Sequence, residues 1–425
     1  MICSVPLFRN AIATCALLLL VNSVTAAEPR WWKGNLHTHS FWSDGDDYPE
    51  MIAEWYKTNG YNFLALSDHN VVLEGEKWIT ITNSKGGQEA FDRYLKRFGN
   101  RWVKTRQVLR VEQVRLKTLK QFRGHFEQRD RFLMIPSEEI SDKFGKLPIH
   151  LNASNVRKLI KPQGGSNVLD VLQHNVDAVF AQRAETGEPM FPHINHPNFG
   201  WALTVEDLMQ VKGDQFFEVY NGHPAVHNEG TNNRMSTERM WDIALAFRAS
   251  RLKLGPLFAL AVDDSHEYHK WGTKNVNPGR GWVMVRAPRL RAETIIAAME
   301  AGDFYASTGV RLKDVRREKG VLSLAVEAEP NVTYTIQFIG TRKGFDPTST
   351  MPEPNKTNPV APSRVYTPQI GEILSTTTGT QASYAFDGDE LYVRAKVISS
   401  KPKANGYRSD EVEIAWTQPL LANAE

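Results

Sequence analysis

From Trp31 onward, short apolar runs alternate along the chain with longer amphipathic stretches. The runs "YNFLALSDHN" and "PLFALAVDDSHE" have continuous apolar cores, which are typical of strands buried on both faces. The stretches "GNLHTHS", "RFLMIPSEEIS", "EPMFPHINHPN" and "DQFFEVYNGH" are predicted as further strands. After the first strand, "DDYPEMIAEWYKTNG" predicts a helix with Asp47 near its N-cap, Pro49 in its first turn and Gly60 at its end. Alternating strands and helices indicate an α/β fold with parallel strands, and their number favours closure into a barrel.

Two regions depart from this alternation. Residues 84–131 predict a long helical insertion, and from Lys96 to Arg131 it carries 12 Lys or Arg against 3 Asp or Glu. Such a charge run is consistent with a solvated helical face, a binding surface for an anionic substrate, or a lid over an active site. From residue 311 the helical patterns stop, and "VLSLAVEAE", "VTYTIQFIGT" and "ELYVRAKVIS" alternate like half-buried antiparallel strands. Residues 311–425 are therefore predicted to form a small β-sandwich-like domain.

The N-terminal residues carry the pattern of a signal peptide. An apolar run over residues 11–21 is followed by the small residues of "NSVTAAEP", which predicts cleavage after Ala26 or Ala27. The run is too short to span a membrane as a helix, and we expect residues 1–26 to be removed on export. The mature protein is predicted to be periplasmic or extracellular, without a membrane span, and residues 27–310 to form its main domain.

Composition narrows the possible chemistry. Cys3 and Cys15 both lie in the predicted signal peptide, so the mature chain has no disulfide, thiolate ligand or cysteine nucleophile. A formal net charge of +3 does not favour a nucleic-acid partner. The sequence has neither the G-x-S-x-G pattern of serine hydrolases nor a phosphate-binding loop. Any metal must therefore be held by His, Asp and Glu.

Ionisable residues follow one predicted strand after another. His37 and His39 are two residues apart at a strand end, so their side chains leave on the same face. In α/β barrels, the loops after the strands carry the chemistry. Burying so many polar groups is costly unless they are compensated, and metal ions compensate them. The sequence thus predicts a metal site made of His37, His39, Asp44, His69, Glu139, His150, His196, Asp264 and His266.

The order of these motifs resembles the PHP (polymerase and histidinol phosphatase) superfamily over residues 34–309. The resemblance rests on H-x-H, an Asp, "SDHN", "PSEEIS", a following His, "NHP" and D-x-H. The segment "GNLHTHSFWSDG" resembles the exported, carbaryl-hydrolase-like metallohydrolase branch. The resemblance implies a distorted (β/α)7 barrel that holds up to three metals.

The resemblance also implies how the ligands divide among the metals. It favours Glu139 over Glu138, His196 over His193 and Asp264 over Asp263. The first metal would be held by His37, His39, Glu139 and Asp264. Glu139 would bridge to a second metal, which His150 and His196 would also hold. A third metal would be held by Asp44, His69 and His266.

A donor set without sulfur suits two or three divalent cations, which could be Zn²⁺, Mn²⁺ or Fe²⁺. The expected nucleophile is a metal-bound hydroxide, so no side-chain nucleophile is needed. Asp68 is predicted to orient a ligand imidazole. Glu218 and His223 are predicted to orient substrate, although a structural role for His223 stays open. Arg280 is either an anion clamp or an ordinary loop residue.

The expected reaction is hydrolysis of a small-molecule phosphoester. Carbamate or carboxylic ester hydrolysis at the same site is the first alternative, because both reactions pass through an oxyanion that metals stabilise. A non-catalytic, secreted, metal-containing binding protein is the second alternative. The sequence leaves the oligomeric state open.

Overall fold

The structure is a computed structural model that describes Met1 and residues 28–318, 320–353 and 361–422. The predicted signal peptide lies, apart from Met1, outside the described residues, so export stays a prediction. Among the helices that are described, none is long and apolar enough to cross a membrane.

The chain as far as residue 154 forms β1 (Arg30–Asn35), α1 (Pro49–Thr58), β2 (Phe63–Leu66), β3 (Trp78–Thr80), α2 (Gly87–Phe98), β4 (Thr105–Val108), β5 (Val111–Arg115), α3 (Leu119–Phe126), β6 (Leu133–Phe144) and β7 (Leu147–Ser154). It continues with α4 (Val168–Thr186), β8 (Phe191–Ile194), α5 (Val205–Gln210), β9 (Phe216–Asn221), α6 (Thr237–Phe247), β10 (Phe258–Val262), β11 (Trp282–Ala287), α7 (Ala292–Glu300) and β12 (Phe304–Ser307).

The rest of the described chain forms β13 (Leu312–Glu318), β14 (Val321–Val326), β15 (Tyr334–Arg342), β16 (Ser349–Thr350), β17 (Val365–Tyr366), β18 (Glu372–Thr378), β19 (Gln381–Ala385), β20 (Glu390–Pro402), β21 (Val412–Thr417) and β22 (Leu420–Leu421). Residues 354–360, between β16 and β17, lie outside the described part.

A large mixed sheet runs through the molecule in the order β10-β9-β8-β7-β6-β2-β1-β11-β12-β21-β20-β15-β18, and β22 pairs with β20. The pairs β1–β2, β2–β6, β8–β9 and β9–β10 are parallel, as the sequence predicts. The strand β7 is antiparallel to both of its neighbours, which corrects the expectation of parallel strands throughout. The reason is the short connection from β6 to β7, which is long enough only for a hairpin.

The two ends of the β1–β10 part of this sheet approach each other. Thr38, just after β1, forms a parallel bridge with Ser265, just after β10. The strands β2, β9 and β10 are buried at every position, which explains their continuous apolar sequence. The structure is thus a mixed α/β fold with a large central sheet, and the (β/α)7 barrel stays a prediction.

The predicted helical insertion at 84–131 is only partly helical. It contains α2 and α3, but between them β4 and β5 form a hairpin that joins β3 in a three-stranded antiparallel sheet. The β-branched residues of "TRQVLRVEQVR" recur every third position, which is close to the helical period, so the sequence pattern did not distinguish the hairpin from a helix. The expectation of a long helix is wrong for residues 105–115.

The C-terminal strands extend the large sheet and face a second one. The strand β21 pairs with β12, so hydrogen bonding continues across the predicted domain boundary at residue 310. The strands β13, β14 and β19 form a separate three-stranded sheet. Apolar side chains from both sheets, including Leu322, Leu324, Ile336 and Val397, form one buried cluster. This packing has the layout of a β-sandwich, and a separate domain stays a prediction.

Candidate metal centre

Backbone hydrogen bonds bring the H-x-H and D-x-H motifs side by side. The Asp264 amide donates to the His37 carbonyl at 3.0 Å, and the His39 amide donates to the Ser265 carbonyl at 2.9 Å. Asp264 has a φ of 50°, a left-handed conformation that is uncommon outside glycine. Such strain persists where the surrounding structure enforces it, and it concentrates at functional sites.

Four of the predicted ligands converge at the centre. The Nε2 atoms of His37 and His39 lie 3.1 Å apart. Asp264 Oδ1 lies 3.2 Å from the first Nε2 and 3.1 Å from the second. Glu139 brings Oε1 to 3.5 Å from His37 Nε2 and Oε2 to 3.5 Å from His39 Nε2. The structure therefore brings together the set predicted for the first metal.

Glu139 also reaches the set predicted for the second metal. Its Oε1 lies 3.0 Å from His150 Nδ1 and 3.5 Å from His196 Nε2. The sequence placed Glu139 and His150 on loops after strands. In the structure they lie within β6 and β7. The β6–β7 hairpin places both side chains on the site, because residues on one face of paired strands point the same way.

The third predicted set lies at the more exposed side of the centre. Asp44 Oδ1 lies 3.2 Å from His266 Nε2, 3.6 Å from His69 Nε2 and 3.8 Å from His39 Nδ1. The Asp44 side chain is 44% exposed, whereas those of His37, His39 and Glu139 are fully buried. All nine predicted ligands thus lie in one cluster, and their binding of metal stays a prediction.

The electrostatics of the cluster favour added positive charge. Burial would raise the pKa of Asp264 and Glu139, but the surrounding histidines bring both values well below the ordinary range. Burial, together with the neighbouring His266 and His69, lowers the pKa of His39 to about 3. Burial opposes the charge on His69, but Glu139 and Asp44 raise its pKa to about 9. The centre therefore holds buried carboxylates whose charge raises the pKa of His37, His69 and His266, beside the neutral ring of His39.

Two features show that the residues fit divalent cations. Glu139 Oε2 is buried and receives no hydrogen bond, although His69 Nδ1 lies 2.6 Å away. The Nε2 atoms of His37 and His39 face each other at 3.1 Å, where at most one of them can donate a proton. Carboxylate oxygens and imidazole nitrogens arranged in this way are typical ligands of Zn²⁺, Mn²⁺ and Fe²⁺.

Glu218 contacts the ring of His37. It thereby takes the role that the sequence predicted for Asp68, which was to orient a ligand imidazole. Glu218 Oε1 lies 2.6 Å from His37 Nδ1, and its Oε2 accepts from the His196 amide at 2.7 Å and from Asn221 Nδ2 at 2.8 Å. The carboxylate is fully buried, and although burial opposes its charge, His37 and His193 lower its pKa to about 2. Glu218 lies behind the ligands, away from a position where it could touch substrate.

Asp68 instead organises the loop between His39 and Asp44. Its carboxylate accepts from the amides of Ser40 and Ser43 at 2.8 and 2.9 Å, and from their hydroxyls at 2.8 and 2.6 Å. These four bonds occupy both oxygens. The expectation that Asp68 orients an imidazole directly is therefore corrected.

Arg280 is not placed to clamp an anion. Its guanidinium is buried and donates to backbone carbonyls, those of Gly222, Gly272, Asn275 and Asn405. Because these groups accept from four of the five N–H donors of a buried guanidinium, the structure favours the loop-residue alternative over the anion clamp.

His223 lies at the edge of the cluster. Its ring centroid is 5.8 Å from that of His266 and 6.3 Å from that of Phe199. Its Nδ1 accepts from the Ala225 amide at 3.0 Å, and the ring is partly exposed. Burial lowers its pKa to about 4. Contact between His223 and substrate stays a prediction.

The alternatives that the sequence offered are placed elsewhere. Glu138 points away from the centre and accepts from the Ile160 amide at 2.7 Å. Asp263 accepts from the amides of Gly279, Arg280 and Gly281. His193 contacts Glu218 at 3.3 Å, behind His37.

Two residues at the site were missed from the sequence. Asn195 Nδ2 donates to Glu139 Oε1 at 2.8 Å, and the "INHP" motif that contains it was a signal for its position. Lys85 Nζ lies 3.4 Å from Asp44 Oδ2, and no local pattern distinguishes it from other lysines of the insertion. Lys85 is the basic side chain that forms an ion pair with the cluster within the described residues.

No protein-family model and no curated protein matches the sequence. Among solved structures, the chain is similar to a two-domain protein from Bacteroides vulgatus that contains a predicted PHP-like metal-dependent phosphoesterase. The identity is 14%, the match covers 92% of this chain and 96% of that chain, and the TM-score is 0.38. A proposed metal-dependent phosphoesterase from Bifidobacterium adolescentis is 13% identical over 56% of this chain and 89% of its own, with a TM-score of 0.27. Because these likenesses are distant, a functional proposal has to rest on the geometry of the site.

Proposed function

We propose that the protein is an exported, metal-dependent phosphoester hydrolase of the PHP superfamily. The observation that carries the proposal is the convergence of nine His, Asp and Glu side chains on one centre. Their ligand atoms form overlapping groups within which all atoms lie within 4.8 Å of one another. A purely structural metal site needs only about four ligands, so a centre of this size favours catalysis.

The side chains of the centre would hold two or three divalent cations. When bound, such cations would lower the pKa of a water molecule and withdraw negative charge from a substrate oxygen. Glu139 and Asp264 supply the buried negative charge, and Glu218 fixes the ring of His37 through Nδ1, which leaves Nε2 for the centre. Asp68 holds the loop that carries His39 and Asp44.

Lys85 favours an anionic substrate over a neutral ester or carbamate. Its ammonium group lies beside Asp44, at the most exposed ligand of the cluster, and its own side chain is 56% exposed. A mobile cation at this point can contact a phosphoryl oxygen that enters from solvent. This is the reason that we place phosphoester hydrolysis before ester or carbamate hydrolysis.

We further infer that β1, β2 and β6–β10 form the distorted seven-stranded barrel. The bridge between Thr38 and Ser265 supports this inference, because it links the two ends of that series. The apolar run and small-residue site in residues 1–26 support export.

The test combines metal content with hydrolysis. The purified chain without residues 1–26 is assayed for bound metals and for turnover of p-nitrophenyl phosphate, bis-p-nitrophenyl phosphate and 1-naphthyl N-methylcarbamate. The variant His37→Ala/His39→Ala is expected to lose metal and activity together. Its matched control, His125→Ala/His174→Ala, removes two exposed histidines and is expected to retain both.

A second pair of variants tests substrate charge. Lys85→Gln is expected to raise the KM for the phosphate monoester about fivefold, since one partly exposed charged contact is lost. Lys96→Gln, which replaces an exposed lysine on α2, is expected to leave KM unchanged.

Turnover of the carbamate alone would move the protein to the ester and carbamate hydrolases. Bound metal without turnover of any substrate would favour the binding protein, and absence of metal would refute the proposal.

A further inference from the structure

The hairpin formed by β4 and β5 presents apolar side chains to solvent at its turn. Val108 pairs with Val111 across the ladder, and Leu109 and Arg110 form the two-residue turn between them. Leu109 is 94% exposed, and Val108 and Val111 are 38% and 39% exposed. We refer to residues 108–111 as the hairpin tip.

The backbone of the hairpin tip is unusual for its sequence. Leu109 and Arg110 have φ values of 46° and 67°. Two-residue turns with positive φ at both positions strongly favour Asn-Gly or Asp-Gly, because other side chains are strained there. The chain therefore holds a leucine and an arginine in a strained conformation at the exposed turn of this hairpin. Strained backbone of this kind concentrates at functional positions of proteins.

Exposed basic side chains are frequent on the hairpin and on the residues just before it. Arg101, Lys104, Arg106 and Arg110 are exposed, and no ion pair joins any of them to a carboxylate of the described residues. Arg106 lies over the Trp78 ring at 4.1 Å and donates to Gln113. The acidic residue of the hairpin, Glu112, lies on β5 and does not offset this charge. The hairpin thus combines an exposed aliphatic tip with several exposed cations that no ion pair joins to a carboxylate of the described residues.

We propose that the hairpin tip docks the protein reversibly on a membrane surface that contains anionic lipids. Aliphatic side chains gain free energy when they enter the lipid interface, and nearby lysines and arginines are attracted to anionic headgroups. A soluble polyanion would use the cations but not Leu109. A second copy of the chain would need a contact of about 800 Å² on each partner, which is far larger than a four-residue tip provides.

The test is vesicle binding by the purified chain without residues 1–26. Vesicles of phosphatidylcholine alone and of phosphatidylcholine with about one third phosphatidylglycerol are sedimented with the protein at low and at physiological salt. Binding is expected to be about tenfold stronger to the anionic vesicles and to weaken as salt rises. Leu109→Ser is expected to weaken it at least fivefold, because the main inserting side chain is lost.

The matched control is Ile373→Ser, which removes an exposed aliphatic side chain of β18 that is 56% exposed. It is expected to leave vesicle binding unchanged, and both variants are expected to melt at the temperature of the wild type. Absence of binding to anionic vesicles, or equal binding by Leu109→Ser, would overturn the proposal. So would binding to soluble dextran sulfate with the same strength as to vesicles, or a dimer in solution that Leu109→Ser dissociates.

Discussion

Glu218 joins three groups of the metal centre through one buried carboxylate. It contacts the His37 ring, accepts from the backbone of His196 and accepts from Asn221, whose amide also donates to Asp264 at 3.0 Å. The ring of a metal-ligating histidine is generally fixed by a partner at its other nitrogen. Glu218 therefore determines the orientation of His37 and, through Asn221, that of Asp264.

Replacing this carboxylate tests its part in metal binding. Glu218→Gln keeps the size of the side chain but loses its charge, and we expect metal affinity to fall about 10- to 100-fold. Affinity is measured by metal titration of chelated protein, with the exposed Glu185→Gln as the control. Unchanged affinity in Glu218→Gln would show that the contact with His37 has no bearing on metal.

Asp214 is a buried carboxyl group just before β9. Its Oδ1 accepts from the Phe216 amide at 3.0 Å, and its Oδ2 has no hydrogen-bond partner. Burial raises its pKa to about 7. A carboxyl group with a raised pKa stabilises the fold at low pH, and this contribution is lost as pH rises from about 4 toward 7.

Asp214→Asn removes this titration. Between pH 5 and pH 8, we expect the free energy of unfolding to fall by about 2 kcal/mol less in the variant than in the wild type. The reason is that the folded wild type has to ionise the buried Asp214 over that range. Urea unfolding at the two pH values measures the difference. Parallel pH dependence in the two proteins would contradict the pKa assigned to Asp214.

At the scale of elements, the insertion is anchored on the loop that carries Asp44. Arg93 of α2 contacts His269 at 2.6 Å, and His269 in turn contacts the Asp46 carbonyl at 3.1 Å. Gly86, just before α2, lies so close that a Cβ atom there would be 2.0 Å from the Asp46 carbonyl oxygen. This contact positions Lys85 at the edge of the centre.

A methyl group at Gly86 would separate the insertion from this loop. Gly86→Ala is expected to cost about 1–3 kcal/mol of stability and to weaken metal binding at the set of Asp44, His69 and His266, because Asp44 would move. Gly124→Ala in α3 is the control, since a Cβ atom there meets no atom within 4 Å and alanine favours a helix by about 0.5–1 kcal/mol. Thermal unfolding and metal counting separate the two effects. Equal stability of the two variants would refute the close contact.

At the scale of the whole molecule, one buried ion pair joins the α/β part to the C-terminal strands. Arg394 of β20 donates to both oxygens of Asp242 on α6, at 2.8 and 2.7 Å, and Tyr392 donates to the same carboxylate at 2.9 Å. The exposed fraction of the Arg394 side chain is 1%. Together with the β12–β21 ladder, this pair is expected to make the two parts unfold together.

Removing one member of the pair leaves a buried charge. Arg394→Gln is expected to lower the free energy of unfolding by about 3–5 kcal/mol, within a single calorimetric transition. The double variant Arg394→Gln/Asp242→Asn is expected to recover part of that loss, because neither side chain is then charged. A separate early transition of the C-terminal strands alone would show that the parts are independent domains.

The sequence by itself predicted β1, β2, β6 and β8–β10, the helix α1 and nine candidate ligands, which the structure brings into one cluster. It could do so because apolar periodicity and motif spacing are local, and because every ligand stands near or within a strand. The sequence did not identify the antiparallel β7 or the β4–β5 hairpin, since pairing direction depends on which strands meet. It also did not identify the hydrogen-bond partners of Asp68, Glu218 and Arg280. Only the tertiary structure decided these, because a polar side chain takes the hydrogen-bond partners that folding brings to it from distant segments.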